Sequence, residues 1–146
     1  MRTLAIDLGS KRVGLALSDE GGQFASPLDV LFISSPQQAQ EAVLPVIRRE
    51  GVQRIVVGLP LNMDDTFGPA ARQTVSWGRQ LHTAAGIPVI YVDERLSSFE
   101  AEQQLILRKR AGEHITRQRK KEQLDAMAAA SFLQAFLDGR IDAIGE

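Results

Sequence analysis

The chain has 146 residues, 44% hydrophobic and 24% charged, which is the size and composition of one soluble globular domain. A net charge of −1 excludes a uniformly basic nucleic-acid binder, so any polyanion site must come from local charge. The absence of cysteine excludes disulfides and Cys-based zinc sites. No apolar run reaches the ~20 residues that span a bilayer, and Met1-Arg2-Thr3 runs straight into a strand pattern with no secretory signal. The expectation is a cytoplasmic protein with no membrane partner.

Thr3–Asp7 and Val13–Ser18 read as strands joined by the tight turn Gly9-Ser10-Lys11-Arg12, too short for a crossover, so they should pair antiparallel. Leu28–Phe32 is a third strand. Ser35-Pro36-Gln37-Gln38 signals a helix start, with Ser35 capping and Gln38 reaching back to close a capping box. Ala39, Ala42, Val43, Val46 and Ile47 follow at helical spacing, Pro45 should kink or split that helix, and Gly51 ends it. Arg54–Gly58 is a short buried strand. The polar loop 60–68 leads to a helix over Pro69–Ala85, ended by Gly86, and Val89–Asp93 is the fifth strand. Ser97-Ser98-Phe99-Glu100 opens a further helix, 112–119 reads as a charged, mobile break, and the last helix runs from about Lys120 to Asp138, capped by Gly139. The order β-β-β-α-β-α-β-α-α implies an α/β fold with a mixed five-stranded sheet. Strands 1–3 are antiparallel, strands 1, 4 and 5 are parallel, and helices cover both faces.

Three acidic positions could carry chemistry. Asp7 ends an apolar strand at the carboxyl edge, where ligands gather in open α/β sheets, although an Asp there also serves as a turn cap. Asp93-Glu94-Arg95 ends a parallel strand at the same edge, and alternation lets only one of Asp93 and Glu94 face the same way as Asp7. Asp125 sits on an alanine-rich helix (Ala126, Ala128, Ala129, Ala130) that could approach the sheet closely. There its charge needs compensation, which a metal would give; the alternative is a solvent-exposed Asp paired with Lys121 or Arg117. Oxygen donors from two strand ends and one helix suit Mg²⁺ or Mn²⁺. Two such ions would activate water and stabilise the leaving oxygen of a phosphodiester.

Seven of the seventeen Lys/Arg residues lie between Arg108 and Lys121, with Glu113 the lone acid among them. Arg108, Lys109, Arg110, Arg117 and Lys121 are therefore candidate phosphate contacts, against the alternative of a solvated charged face. Asn62, in the loop at the same edge, could touch a flanking nucleotide or belong to an ordinary turn. His82 and His114 lack metal-ligand spacing, and Trp77 and Tyr91 read as core aromatics rather than base-stacking platforms.

Four blocks resemble the YqgF/RuvX family: 7–19 (DLGSKRVGLALSD), 58–64 (GLPLNMD), 93–98 (DERLSS), and Lys121 with Asp125 and Ala128-Ala129. The resemblance spans essentially the whole chain. It implies a single RNase H-like domain over residues 1–146. It also implies a RuvC-related nuclease, described as a Holliday junction resolvase and linked to 5′-end maturation of pre-16S ribosomal RNA. Carried over, Asp7, Glu94 and Asp125 are the catalytic and metal-binding acids, which selects Glu94 over Asp93. Lys11, Arg12, Asn62 and Arg95 are supporting substrate contacts. One departure is Asp65, where the family usually has Gly.

Three functions compete. The first is a metal-dependent nuclease acting on RNA, such as pre-rRNA in ribosomal particles, or on branched DNA. Symmetric junction cutting would need a homodimer. The second is a non-catalytic nucleic-acid-binding factor in ribosome maturation or transcription. The third is a sugar-kinase or actin-like ATPase, which shares the Asp-x-Gly hairpin but needs two such domains around its nucleotide.

Overall fold

In the computed structural model, residues 1–64, 66–94 and 117–144 are described. Strand β1 (Thr3–Leu8) and strand β2 (Arg12–Ser18) form an antiparallel hairpin. It is closed by the Gly9 N–H donating to the Arg12 carbonyl at 2.9 Å. Strand β3 (Ala25–Phe32) pairs antiparallel with β2 and forms one edge. It starts three residues earlier than the apolar pattern suggests, because it runs through Pro27. A register shift opposite Leu15 and Ala16 and the edge position both accommodate a residue with no N–H to donate.

Helix α1 (Pro36–Arg49) follows, then strand β4 (Arg54–Leu59), helix α2 (Pro69–Ala85), strand β5 (Val89–Asp93) and helix α3 (Arg117–Leu137). β1, β4 and β5 are parallel, and the sheet order is β3-β2-β1-β4-β5. The expected mixed sheet is present. Among the described residues, no helix is long and apolar enough to cross a membrane. The helix expected from Ser97 lies outside the described residues.

Local chemistry explains the helix ends. Ser35 caps α1 as expected, its Oγ accepting from the Gln38 N–H at 3.1 Å. Gln38 reaches one residue further back than a capping box requires, to the N–H and hydroxyl of Ser34. α1 runs unbroken through Pro45 rather than splitting, because burial of Val43, Val46 and Ile47 on the sheet holds both halves. α3 begins by Arg117, not Lys120. Its Arg, Gln and Lys residues are good helix formers, and their charge imitated a loop. α3 ends in a Schellman turn: Gly139 takes φ 74°, its N–H donates to Phe136, and the Arg140 N–H donates to Ala135.

Alternation along the strands divides the core. Leu4, Ile6, Val13, Leu15, Ile55 and Val57 pack under α1 and α2, together with Trp77 and Tyr91. Ala5, Ala16, Val56 and Val92 pack under Ala129, Phe132 and Leu133 of α3. Trp77 and Tyr91 are thus core residues, with the indole N–H donating to Pro36 at 2.8 Å and the phenol donating to Val75 at 3.1 Å.

The α3 layer is thin because its residues are small. It is thinnest at Gly14, where an added Cβ would strike the backbone carbonyl of Asp125. Gly14→Ala is expected to cost about 1–3 kcal/mol as the helix is pushed off the sheet. This can be read as a lowered urea midpoint at unchanged slope. Unchanged stability would contradict the close approach.

Candidate active site

Asp7 lies one residue before the end of β1, opposite Gly14. Alternation puts it on the same face as Ala5, under α3. Glu94 directly follows β5, and its N–H donates to the Leu59 carbonyl at 3.4 Å. It continues the face of Val92, whereas Asp93 falls on the opposite phase. Gly58 on the neighbouring strand provides the space: a Cβ there would lie 2.7 Å from Glu94 Oε2 and 2.8 Å from the Phe132 ring. Gly14 and Gly58 were missed in the sequence, although a glycine inside a strand is a recognised sign of close approach.

The side chains of Asp7 and Glu94 hydrogen-bond to each other. Two carboxylates in contact must share a proton. Burial is the main cause that raises Glu94, followed by the charge of Asp7 and its acceptance of the Glu94 proton, with smaller contributions from Asp93 and Asp125. Together they push it up to about 10. Burial also raises Asp7, opposed by the hydrogen bond from Glu94 and reinforced by the charge of Asp125. Glu94 is therefore the protonated donor and Asp7 the acceptor.

Asp125, in α3, is the third acid close enough to act on both. Its Oδ2 accepts from Arg12 Nε at 2.6 Å, with the two side chains 28% and 31% exposed. Arg12 shares the α3 face of β2 with Gly14, so its guanidinium is the cation that meets Asp125. Among the described residues, no three His, Cys, Asp or Glu side chains form a ready metal-ligating group. The acids instead form a protonated pair beside an Arg-bound carboxylate. The chemistry of this set still fits a divalent cation. All donors are oxygens, and two acids are forced together at the cost of retaining a proton.

The other sequence candidates scatter. Lys11 is exposed in the hairpin turn. Asn62 is exposed and its amide donates to Thr66 Oγ1 at 3.0 Å, while the Thr66 hydroxyl donates to Asp64 at 2.6 Å, a self-bonded turn. Arg117 and Lys121 lie in the first turns of α3. Arg95, Arg108, Lys109, Arg110, His114 and Asp65 lie outside the described residues. His82 is exposed near the end of α2, its Nδ1 2.7 Å from the Ile87 carbonyl.

The carboxyl pair sets a pH dependence. The Glu94 side chain titrates at an ordinary 4.5 when unfolded and at about 10 when folded. Between those values the folded state binds more protons, so stability falls as pH rises. The contribution is complete below about pH 4.5 and is lost as pH rises through about 10. Glu94→Gln keeps a donor to Asp7 without titrating. In EDTA at about pH 9 it should be more stable than wild type by about 1 kcal/mol or more, with the gap closing toward acid. Urea melts across pH check this, and a pH-independent gap would contradict it.

Comparison with known proteins places the chain in a family. The family model described as "RuvX: Holliday junction resolvase" matches residues 1–139. A curated relative from Pelotomaculum thermopropionicum, described as "Putative pre-16S rRNA nuclease", is 40% identical over 141 residues, covering 96% of this chain and 88% of its own. One from Anaeromyxobacter sp. strain K with the same description is 44% identical over 140 residues, covering 96% and 98%. Thermus thermophilus RuvC, solved in complex with Holliday junction substrate, superposes with a TM-score of 0.59 at 19% identity over 99% of both chains. Fowlpox virus resolvase, solved with Holliday junction DNA, gives 0.56 at 10% identity over 94% of this chain and 99% of its own. At such identities the likeness is one of fold, and that fold is RuvC-like and RNase H-like. With matches that run nearly end to end, at 40% and 44% identity, the chain belongs to the RuvX family.

Proposed function

We propose that the chain is a cytoplasmic, divalent-metal-dependent nuclease whose catalytic and metal-binding acids are Asp7, Glu94 and Asp125, and whose substrate is precursor ribosomal RNA processed at its 5′ end. The observation that carries this reading is the contact of Asp7 with Glu94 beside Asp125, at the carboxyl edge of the parallel strands. The description of the relatives as pre-16S rRNA nucleases supports RNA over branched DNA. Mg²⁺ or Mn²⁺, when bound, supplies an activated water and charge stabilisation at the leaving oxygen.

The chain's own residues do the rest. Asp7 and Glu94 would release their shared proton to solvent, which turns the pair from a singly charged hydrogen bond into two anionic donors. In place of its bond to Arg12, Asp125 would hold the ion together with Asp7 and Glu94. Arg12, so released, lies at the same edge as the scissile phosphate and holds it, since a guanidinium matches two phosphate oxygens at once. Lys11 and the basic residues from Arg108 to Lys121 hold the flanking backbone, with little sequence preference and strong dependence on salt.

Asp7→Asn is expected to slow cleavage of a precursor rRNA fragment in Mn²⁺ by roughly a hundredfold or more while binding is retained. The same assay with a four-way DNA junction separates the two substrates. Faster cutting of the junction than of the RNA would replace the rRNA reading, and full activity of Asp7→Asn would end the assignment of Asp7 as a catalytic, metal-binding acid. Arg12→Gln is expected to bind Mn²⁺ a few-fold more tightly by calorimetry. It should bind RNA more weakly, with a salt slope reduced by about one. Weaker Mn²⁺ binding at an unchanged slope would contradict the exchange.

A further inference from the structure

On the face of the sheet away from the carboxylates, the seam between α1 and α2 stays open. Two adjoining hollows of about 340 Å³ and about 630 Å³ share Pro36, Gln73 and Trp77 and so form one groove. Its upper end is bordered by Leu8, Gly9 and Ser10, which directly follow Asp7 in the chain, and by Pro60 beyond β4. Its lower end is bordered by Gln37, Gln40, Ser76 and Gln80.

Two observations specify an occupant. No Asp, Glu, Lys, Arg or His among the described residues lines the groove, so it offers a phosphate no charged side chain. It is rich instead in side-chain amides and hydroxyls, each of which can donate and accept. In addition, Gln40 Nε2 is buried with no hydrogen-bond partner among the described residues, a costly arrangement that rotation of the amide toward an acceptor in the groove would relieve. Nucleobases carry that acceptor, and glutamine amides pair with their edges, most completely with adenine. Trp77, a core residue tethered by its N–H to Pro36, backs the groove with the small part of its ring that reaches the surface.

We propose that the α1–α2 groove receives unpaired nucleobases of the substrate strand beside the scissile phosphate, with Gln40 and Gln73 contacting base edges and the phosphates left outside. This deepens the nuclease reading and rests on it: a strand whose phosphate sits at Asp7 crosses the Gly9-Ser10 turn and turns its next bases into the groove. A duplex has its bases stacked and paired and cannot enter. The groove therefore selects single-stranded flanks.

Trp77 is the only tryptophan of the chain and reports on the groove directly. The experiment titrates a dye-labelled, short single-stranded oligoadenylate and an abasic strand of equal length into the full chain in EDTA. Anisotropy gives affinity and indole emission gives occupancy. The oligoadenylate should shift Trp77 emission on saturation and the abasic strand should not. Gln40→Leu and Gln73→Ala should each weaken oligoadenylate binding by about tenfold. Gln40→Leu removes the orphan amide and should melt no lower than wild type, so its weaker binding cannot be ascribed to unfolding. Unchanged affinity in both variants, or unchanged emission at saturation, overturns the groove proposal. Asp7→Asn lies outside the groove and should give the full Trp77 response. A dead Asp7→Asn enzyme with unaltered glutamine variants therefore removes the groove alone. An active Asp7→Asn enzyme with weakened glutamine variants removes the carboxylate-site assignment and leaves the groove standing.

Discussion

The candidate site depends on how closely α3 lies on the sheet. The backbone of Asp125 occupies the place that a Cβ on Gly14 would take, and the Phe132 ring and Glu94 share the space above Gly58. A side chain at either glycine would lift the helix or displace the acid. Ala126, Ala128 and Ala129 keep the helix side equally thin. Three acids distant in the sequence then fall within electrostatic range of one another. The opposite face is built differently, from Leu, Ile, Val, Trp and Tyr under two helices. One face of the sheet supplies most of the large apolar burial, and the other holds the carboxylates at its upper edge.

That approach has an electrostatic cost. Burial disfavours charge on Asp7 and Glu94, and each carboxylate disfavours charge on the other. Without a bound cation, the pair answers by keeping a proton, and Asp125 answers by taking Arg12. Both responses lower the energy of the resting state, and both would be reversed by a divalent ion. A carboxylate cluster that served only the fold would gain from replacing one acid with an amide. Retaining two acids in contact is chemically intelligible when something more positive than a proton occupies the place between them.

Much of the fold was legible because its punctuation is local. α2 and β5 have the bounds read from Pro69, Gly86 and the apolar run Val89–Val92, and β1 and β2 differ by a residue at their ends. β3 extends three residues before the apolar pattern, through Pro27, which a strand accepts at an edge or a bulge. Pro45 predicts a kink or split in α1, but the burial that carries the helix through it is tertiary. Glu94 and Asp93 were indistinguishable from strand alternation alone, and the resemblance selected Glu94. The fold now puts Glu94 against Asp7. The Arg12–Asp125 pair spans 113 positions and has no periodic signature, so it could not be read at all. The α1–α2 groove was equally hidden, since it arises from the angle of two helices rather than from any segment.

The central claim is that Asp7, Glu94 and Asp125 form one oxygen-ligand site for divalent cations. The most direct test is a crystal structure of the chain grown in Mn²⁺ and measured at a wavelength where manganese scatters anomalously. The expected result is anomalous density bounded by these three carboxylates, with Arg12 withdrawn from Asp125. Manganese bound elsewhere, with Asp7 and Glu94 still hydrogen-bonded and Arg12 still on Asp125, would contradict it.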